Sequence, residues 1–186
     1  MSTREEKRRK ELLEWLKALA IVLVAAFLVR SFLFGTVQVK GTSMEPNFHH
    51  QDLVGVSKIS YRLGDPKQGD VVVCSYTRST GEENIIKRVI GEPGDVIDMV
   101  QLEDLSYGVT INGALLEESY LNGPMNQKGD QTYPYTVPEG CYFVMGDNRD
   151  QSNDSRFLSI GVIEKGDMMG KVVLRLWPFS DFGLIP

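Results

Sequence analysis

Three segments of this chain carry residue types that could do chemistry together. Ser43 lies in the turn Gly41-Thr42-Ser43-Met44-Glu45-Pro46, Lys87 sits inside the apolar run Ile85 to Ile90, and a crowded polar stretch runs from Gly146 to Arg156. A serine hydroxyl becomes a nucleophile only when a base takes its proton. A lysine amine can be that base if it is uncharged, and burial favours the uncharged form because a low-dielectric site penalises the ammonium. In an extended strand Lys87 shares one face with Ile85 and Val89, while Arg88 shares the other with Ile86 and Ile90. One of the two basic side chains must therefore point with apolar neighbours toward a core. Moving a lysine from about 10.4 to near neutrality costs about 4–5 kcal/mol, which only a well-packed apolar site can hold. Taken singly, each residue has a plainer reading. Serines are common turn residues beside Gly and Pro, and lysines are common on edge strands.

In the polar stretch, Asp154 and Arg156 are spaced for an ion pair within a tight loop. A calcium loop starting at Asp150 fails, because Ser155 stands where Gly is needed and Gly161 where Glu is needed. The two histidines, His49 and His50, are adjacent and face opposite ways in extended chain, so they cannot share a metal. Nothing near them offers an orienting acid in an obvious position, which disfavours a Ser-His hydrolase. Cys74 and Cys141 belong to no CxxC or Cys/His cluster, which argues against zinc; two free thiols and one disulfide both fit. No metal or cofactor is expected.

The elements that must position these residues follow from the rest of the 186-residue chain, enough for one domain plus a short appendage. Ala18 to Val29 is an unbroken apolar run, extended by Trp15-Leu16 and by Phe32-Leu33-Phe34. This approaches the ~20 residues that span a bilayer as a helix. Lys17 and Arg30 can snorkel at its ends, and Trp15 and Phe34 suit the interfacial belts. The bulk of Arg30-Ser31-Phe32-Leu33-Phe34 offers no small-residue cleavage site, and Leu19 to Val29 has no polar face. An uncleaved anchor over 15–34 is expected. Arg4, Lys7, Arg8, Arg9 and Lys10 then place 1–14 in the cytoplasm. Seven of the 20 basic and four of the 25 acidic residues precede Gly35, so 35–186 carries 13 and 21, a net of −8. An acidic domain of this kind argues against nucleic acid as a partner.

From Thr36 onward the pattern is β. Strands are expected over Thr36–Lys40, Asp70–Tyr76, Ile85–Ile90, Gly140–Met145 and Lys171–Trp177. Val109–Ile111 and Ala114–Leu116 flank Asn112-Gly113, the signature of a type I′ hairpin. No helical period follows Phe34. The fold class is mainly β: one N-terminal transmembrane helix, then an all-β domain built as a sandwich or partly closed barrel. A small inserted β subregion is expected over about 98–137, with Asn122 to Tyr135 as a polar loop. The apolar tail, Trp177-Pro178-Phe179 with Phe182 and Leu184-Ile185, reads as strand end, or as a patch that dips into a bilayer.

Taken in order, the anchor, the Ser-Met turn, Lys87-Arg88-Val89-Ile90-Gly91-Glu92-Pro93-Gly94-Asp95 and Gly146-Asp147-Asn148-Arg149 with Ser152-Asn153-Asp154-Ser155-Arg156 resemble the bacterial type I signal peptidases. These are serine proteases with a Ser-Lys dyad, and the length is similar to the short Gram-positive form. The resemblance implies that Ser43 is the nucleophile and Lys87 its general base. It implies that Ser152 hydrogen-bonds Lys87, that Asp154 and Arg156 pair to hold the site, that Asp147 and Asn148 shape the adjoining turn, and that Met44 packs near the nucleophile. The Ser43 N–H would donate to the oxyanion. It further implies a membrane endopeptidase that binds signal peptides of exported preproteins as extended strands and prefers small side chains, Ala above all, at the residue before the cut and two earlier. Its partners are those preproteins and the lipid bilayer. Its place is the cell membrane, single-pass, with the N-terminus cytoplasmic and the catalytic domain outside. Three departures stand out. Gly41 replaces a serine that donates to the oxyanion in some members, Pro46-Asn47-Phe48 replaces Pro-Thr-Leu, and Phe157 to Gly161 lacks the usual aromatic-Gly pattern. Self-cleaving repressors use the same dyad but are soluble, so the expected anchor argues against them. The alternative from another class is a non-catalytic, membrane-tethered β-domain that binds envelope partners.

Overall fold

The computed structural model describes residues 3–28, 33–78, 81–121 and 123–185. Helix α1 (Thr3–Leu28) is followed by β1 (Phe34–Gln38), β2 (Leu53–Ser57), the single turn α2 (Ser60–Leu63), β3 (Val71–Arg78), β4 (Gly81–Gly91), β5 (Val96–Gln101), β6 (Tyr107–Ile111), β7 (Ala114–Leu115), β8 (Tyr135–Thr136), β9 (Cys141–Met145), β10 (Ile163–Glu164), β11 (Met168–Trp177) and β12 (Gly183–Leu184). Mainly β architecture is thus what the residues build. Among the described residues no helix is long and apolar enough to cross a membrane. The first half of α1 is charged, and its described apolar stretch runs from Ala18 to Leu28. Val29 to Phe32, part of the span expected over 15–34, lie outside the described residues, as does Asn122.

The main sheet runs β1-β2-β11-β3-β4-β9-β10, with β12 on β11, and its pairs are antiparallel. β1 and β4 are separated by three strands, yet Thr36 to Gln38 and Glu83 to Ile86 line one groove. The sheet therefore curls toward a partly closed barrel. Val71 to Cys74 of β3 are buried on both faces, which explains a continuous apolar run in place of alternation. One face holds Met44, Phe48, Val54, Val56, Val73, Ile86 and Val172; the other holds Val72, Cys74, Val89, Tyr142, Val144 and Ile163.

A second sheet, β7-β6-β5-β8, packs through Ile97, Val109 and Val137 against Ile90, Phe143 and Met145 of the first. Its β6-β7 hairpin turns at Asn112 and Gly113 with φ of 52° and 83°, the left-handed pair a type I′ turn demands. β2 and β5 are not among the expected strands. Gly55 interrupts one and Asp98 the other, and both residues are poor strand formers overridden by pairing with β11 and β6. α2 is the one α-helical turn found after Phe34 among the described residues. Cys74 and Cys141 are free thiols. Phe143, fully buried between the sheets, makes a direct check on this core. Phe143→Ala is expected to lower the unfolding free energy by about 3–5 kcal/mol in a urea titration.

Candidate active site

The turn that carries Ser43 links β1 to β2 and is fastened from both sides. Met44 and Phe48 sink into the core at 1% exposure each, and Phe48 N–H donates to the Met44 carbonyl at 2.9 Å. From above, the Asn148 N–H donates to the Ser43 carbonyl at 3.0 Å and Asn148 Nδ2 to the Thr42 carbonyl at 3.2 Å. Gly146 makes this approach possible. A Cβ there would lie 2.5 Å from the Ser43 carbonyl oxygen and 2.3 Å from Ser152 Oγ. Ser43 itself stays partly exposed.

Lys87 reaches the same point from β4. Its Nζ lies 2.8 Å from Ser43 Oγ and donates to the Ile86 carbonyl at 2.9 Å. Burial pushes the Lys87 amine below the ordinary lysine range; the Asp154 carboxylate opposes this and Arg156 reinforces it. Burial pushes the neighbouring Cys74 thiol up to about 12. A neutral amine at this distance can take the proton of a hydroxyl. The sequence requires one basic side chain of β4 to face a core; the structure buries both, Lys87 at 4% and Arg88 at 8%, because β4 is covered on each face.

Two buried ion pairs frame the amine. Asp154 accepts from Arg156 Nε at 2.8 Å and Nη2 at 2.9 Å, and both side chains are fully buried. Its remaining capacity is taken by the Gly146 N–H at 3.0 Å and Ser152 Oγ at 2.7 Å. The Ser152 hydroxyl donates to Asp154, which leaves its oxygen lone pairs free to accept from the amine the resemblance assigns it. Asp147 accepts from Arg88 Nε at 2.8 Å and Nη2 at 2.7 Å. Arg88 and Arg149, the latter paired with Glu118, were not assigned to the site from sequence. A second charge on a two-faced apolar strand, with acids unpaired elsewhere, was the available signal for Arg88. His50 Nδ1 accepts from the Gly41 N–H at 3.2 Å and so serves the turn's backbone. Among the described residues no group of His, Cys, Asp and Glu could hold a metal.

A groove of about 380 Å³ is lined by Thr36, Val37, Gln38, Lys40, Glu83, Asn84 and Ile86. Among the described residues β1 pairs with β2, and β9 takes the Arg88–Gly91 end of β4. Of the two framing pairs, Asp154–Arg156 is the more deeply buried. Asp154→Ala should cost about 3–5 kcal/mol by stranding a buried guanidinium, whereas Asp154→Leu with Arg156→Met should cost far less than the two single changes summed. Chemical unfolding of wild type, Asp154→Ala, Asp154→Leu, Arg156→Met and the double variant measures both.

Residues 12–177 match the family model described as signal peptidase, peptidase S26. Signal peptidase IB of Staphylococcus aureus (strain Mu50) is 35% identical over 189 residues, covering 94% of each chain. Signal peptidase I of Bacillus licheniformis is 38% identical over 191 residues, covering 95% of this chain and 96% of its own. A crystal structure of a signal peptidase I from Enterococcus faecalis V583 is 30% identical at a TM-score of 0.46, covering 59% of this chain and 97% of that one. The Ser43 turn, the Lys87 strand and the Asp154–Arg156 pair all fall within the matched residues, and with relatives aligned over nearly its whole length the chain belongs to the signal peptidase family, peptidase S26.

Proposed function

We propose that this enzyme removes signal peptides from exported preproteins through a Ser43–Lys87 dyad. The observation that carries the reading is the 2.8 Å approach of Lys87 Nζ to Ser43 Oγ, with the amine buried and Ser43 partly exposed. Neutral Lys87 takes the Ser43 proton as Oγ adds to the scissile carbonyl. The tetrahedral adduct collapses, the C–N bond breaks, and the proton passes from Lys87 to the departing amine, leaving an acyl-enzyme. Lys87 then deprotonates a water that adds to the ester, and Ser43 leaves as the restored hydroxyl. The Ser43 N–H, which has no protein acceptor among the described residues, supports its role as an oxyanion donor. Gly41 adds no side-chain donor, and its own N–H is engaged by His50. Ser152, Asp154, Arg156, Asp147, Asn148 and Met44 hold the pair in place. The groove lined by β1 and β4 supports binding of the substrate as an extended strand between them.

The reading includes a membrane anchor over 15–34, with 1–14 cytoplasmic and the catalytic domain 35–186 outside, with a small inserted subregion over about 98–137. Support comes from the apolar half of α1 and from the tail. Trp177, Phe179, Phe182 and Leu184 are 51–83% exposed and stand ready to meet a bilayer. Confining enzyme and preprotein to one surface raises their effective concentration. A non-catalytic β-domain would have no use for a buried lysine aimed at an exposed serine.

Ser43→Ala and Lys87→Met should each abolish cleavage of a purified preprotein while leaving the domain folded; substantial turnover by either would remove the dyad. Since Lys87 must be neutral and its pKa is lowered, the rate should rise with pH along a limb below the ordinary lysine range and fall as Lys87 gains its proton. A limb at the ordinary lysine value, read from kcat/KM against pH, would assign the proton transfer elsewhere.

A further inference from the structure

Asn47 closes a ring of contacts behind the nucleophile. Its side-chain amide donates twice, to the Tyr120 carbonyl at 2.7 Å and to Asp147 Oδ2 at 2.9 Å. Asp147 is gripped on its other side by Arg88. The Arg88 guanidinium lies 4.2 Å over the Tyr120 ring, which brings the circuit back to the residue Asn47 holds. The ring joins four stretches of chain that are far apart in sequence. They are the turn bearing Ser43, the strand bearing Lys87 (Arg88 is the next residue), the turn at Asp147, and the segment 118–120. That last segment is itself pinned by Glu118 to Arg149. The Asn47 main-chain carbonyl accepts from Arg175, a tie to β11 as well.

The chemistry of the position is narrow. Both partners of Asn47 are acceptors, and both are addressed by one primary amide. Serine or threonine offers one donor, aspartate offers none, and alanine offers nothing. Asp147 is only 1% exposed, so a lost donor there is not readily replaced by bulk water. Asn47 lines a separate cavity of about 210 Å³ with Phe48, Arg88 and Arg175, and is not part of the groove along β1 and β4.

We propose that Asn47 is a positioning residue that fixes Ser43 Oγ against Lys87 Nζ by tying the nucleophile's turn to the back of the base's strand. The role rests on the reading of Ser43 and Lys87 as a dyad. A displacement of the order of 1 Å between reacting groups is enough to lose about two orders of magnitude in rate. Because Asn47 stays clear of the groove, the loss falls on kcat and spares KM.

The test uses the full-length chain in detergent micelles with a preprotein-derived peptide as substrate. Thermal unfolding of each sample confirms that it is folded. Asn47→Ala is expected to lower kcat roughly 10- to 100-fold with KM unchanged. Asn47→Asp, the same size, is expected to be at least as damaging as alanine, because two acceptors then face two acceptors. Asn47→Ser, which keeps one donor, should fall between wild type and alanine, and it replaces alanine in the comparison if that variant does not fold. An unchanged kcat in folded Asn47→Ala, a rise confined to KM, or an aspartate variant milder than alanine would each overturn the role. A Ser43→Ala control run alongside separates the two readings. If it retains activity, the dyad falls and the positioning role with it. If it is inactive while the Asn47 variants match wild type, only the positioning role falls.

Discussion

Lys87 is 4% exposed on a strand whose residues from Ile86 to Gly91 are all buried. An ammonium in such a place loses most of its hydration, so the group sheds its proton sooner than it would in water. Everything polar around it has to respect that. A bare carboxylate nearby would draw the proton back, and two carboxylates, Asp154 and Asp147, do act on the amine in that direction. Each is matched by its own guanidinium, Arg156 and Arg88, through two-pronged hydrogen bonds. Buried pairs of this kind contribute little net stability relative to apolar packing. Their value here is electrostatic: the acids can organise Gly146, Ser152 and Asn47 without holding a positive charge on Lys87.

The backbone supplies the second half of the geometry. Ser43 is offered by a turn with apolar anchors below, Met44 and Phe48, and the Gly146–Asn148 backbone above. Gly146 has no room for a side chain, so its smallness sets how closely the two turns approach. Lys87 comes from a strand held on one edge by β3 along its length and on the other by β9 only past Lys87. The groove begins along the part of that strand before Arg88. In the proposed reading the same strand provides the base and a pairing edge for an extended peptide; one residue on, it carries the arginine that anchors Asp147. In the proposed topology β1 begins at the last residue of the anchor. The nine residues after Phe34, through Ser43, span at most about 32 Å, which keeps the proposed nucleophile near the bilayer.

Much of this was readable from residue types, and the rest failed for definable reasons. β-branched runs marked β3, β4, β9 and β11, and Asn112-Gly113 marked its hairpin, because these signals are local. β2 and β5 were hidden by Gly55 and Asp98, whose local preference is reversed by neighbours on both sides. Within the site, residue type singled out Ser43 and Lys87, and the spacing of Asp154 and Arg156 showed a pair two residues apart. The partners Arg88–Asp147 and Asn47–Asp147 lie 59 and 100 residues apart, beyond any spacing rule.

The uncharged state of Lys87 is the claim from which the chemistry follows, and an NMR titration of its side-chain amine in the full-length chain, assigned by its loss in Lys87→Met, addresses it without reference to turnover. The amine is predicted to titrate clearly below the ordinary lysine range, as burial requires. Titration near the unperturbed value of about 10.4 would contradict a buried neutral base.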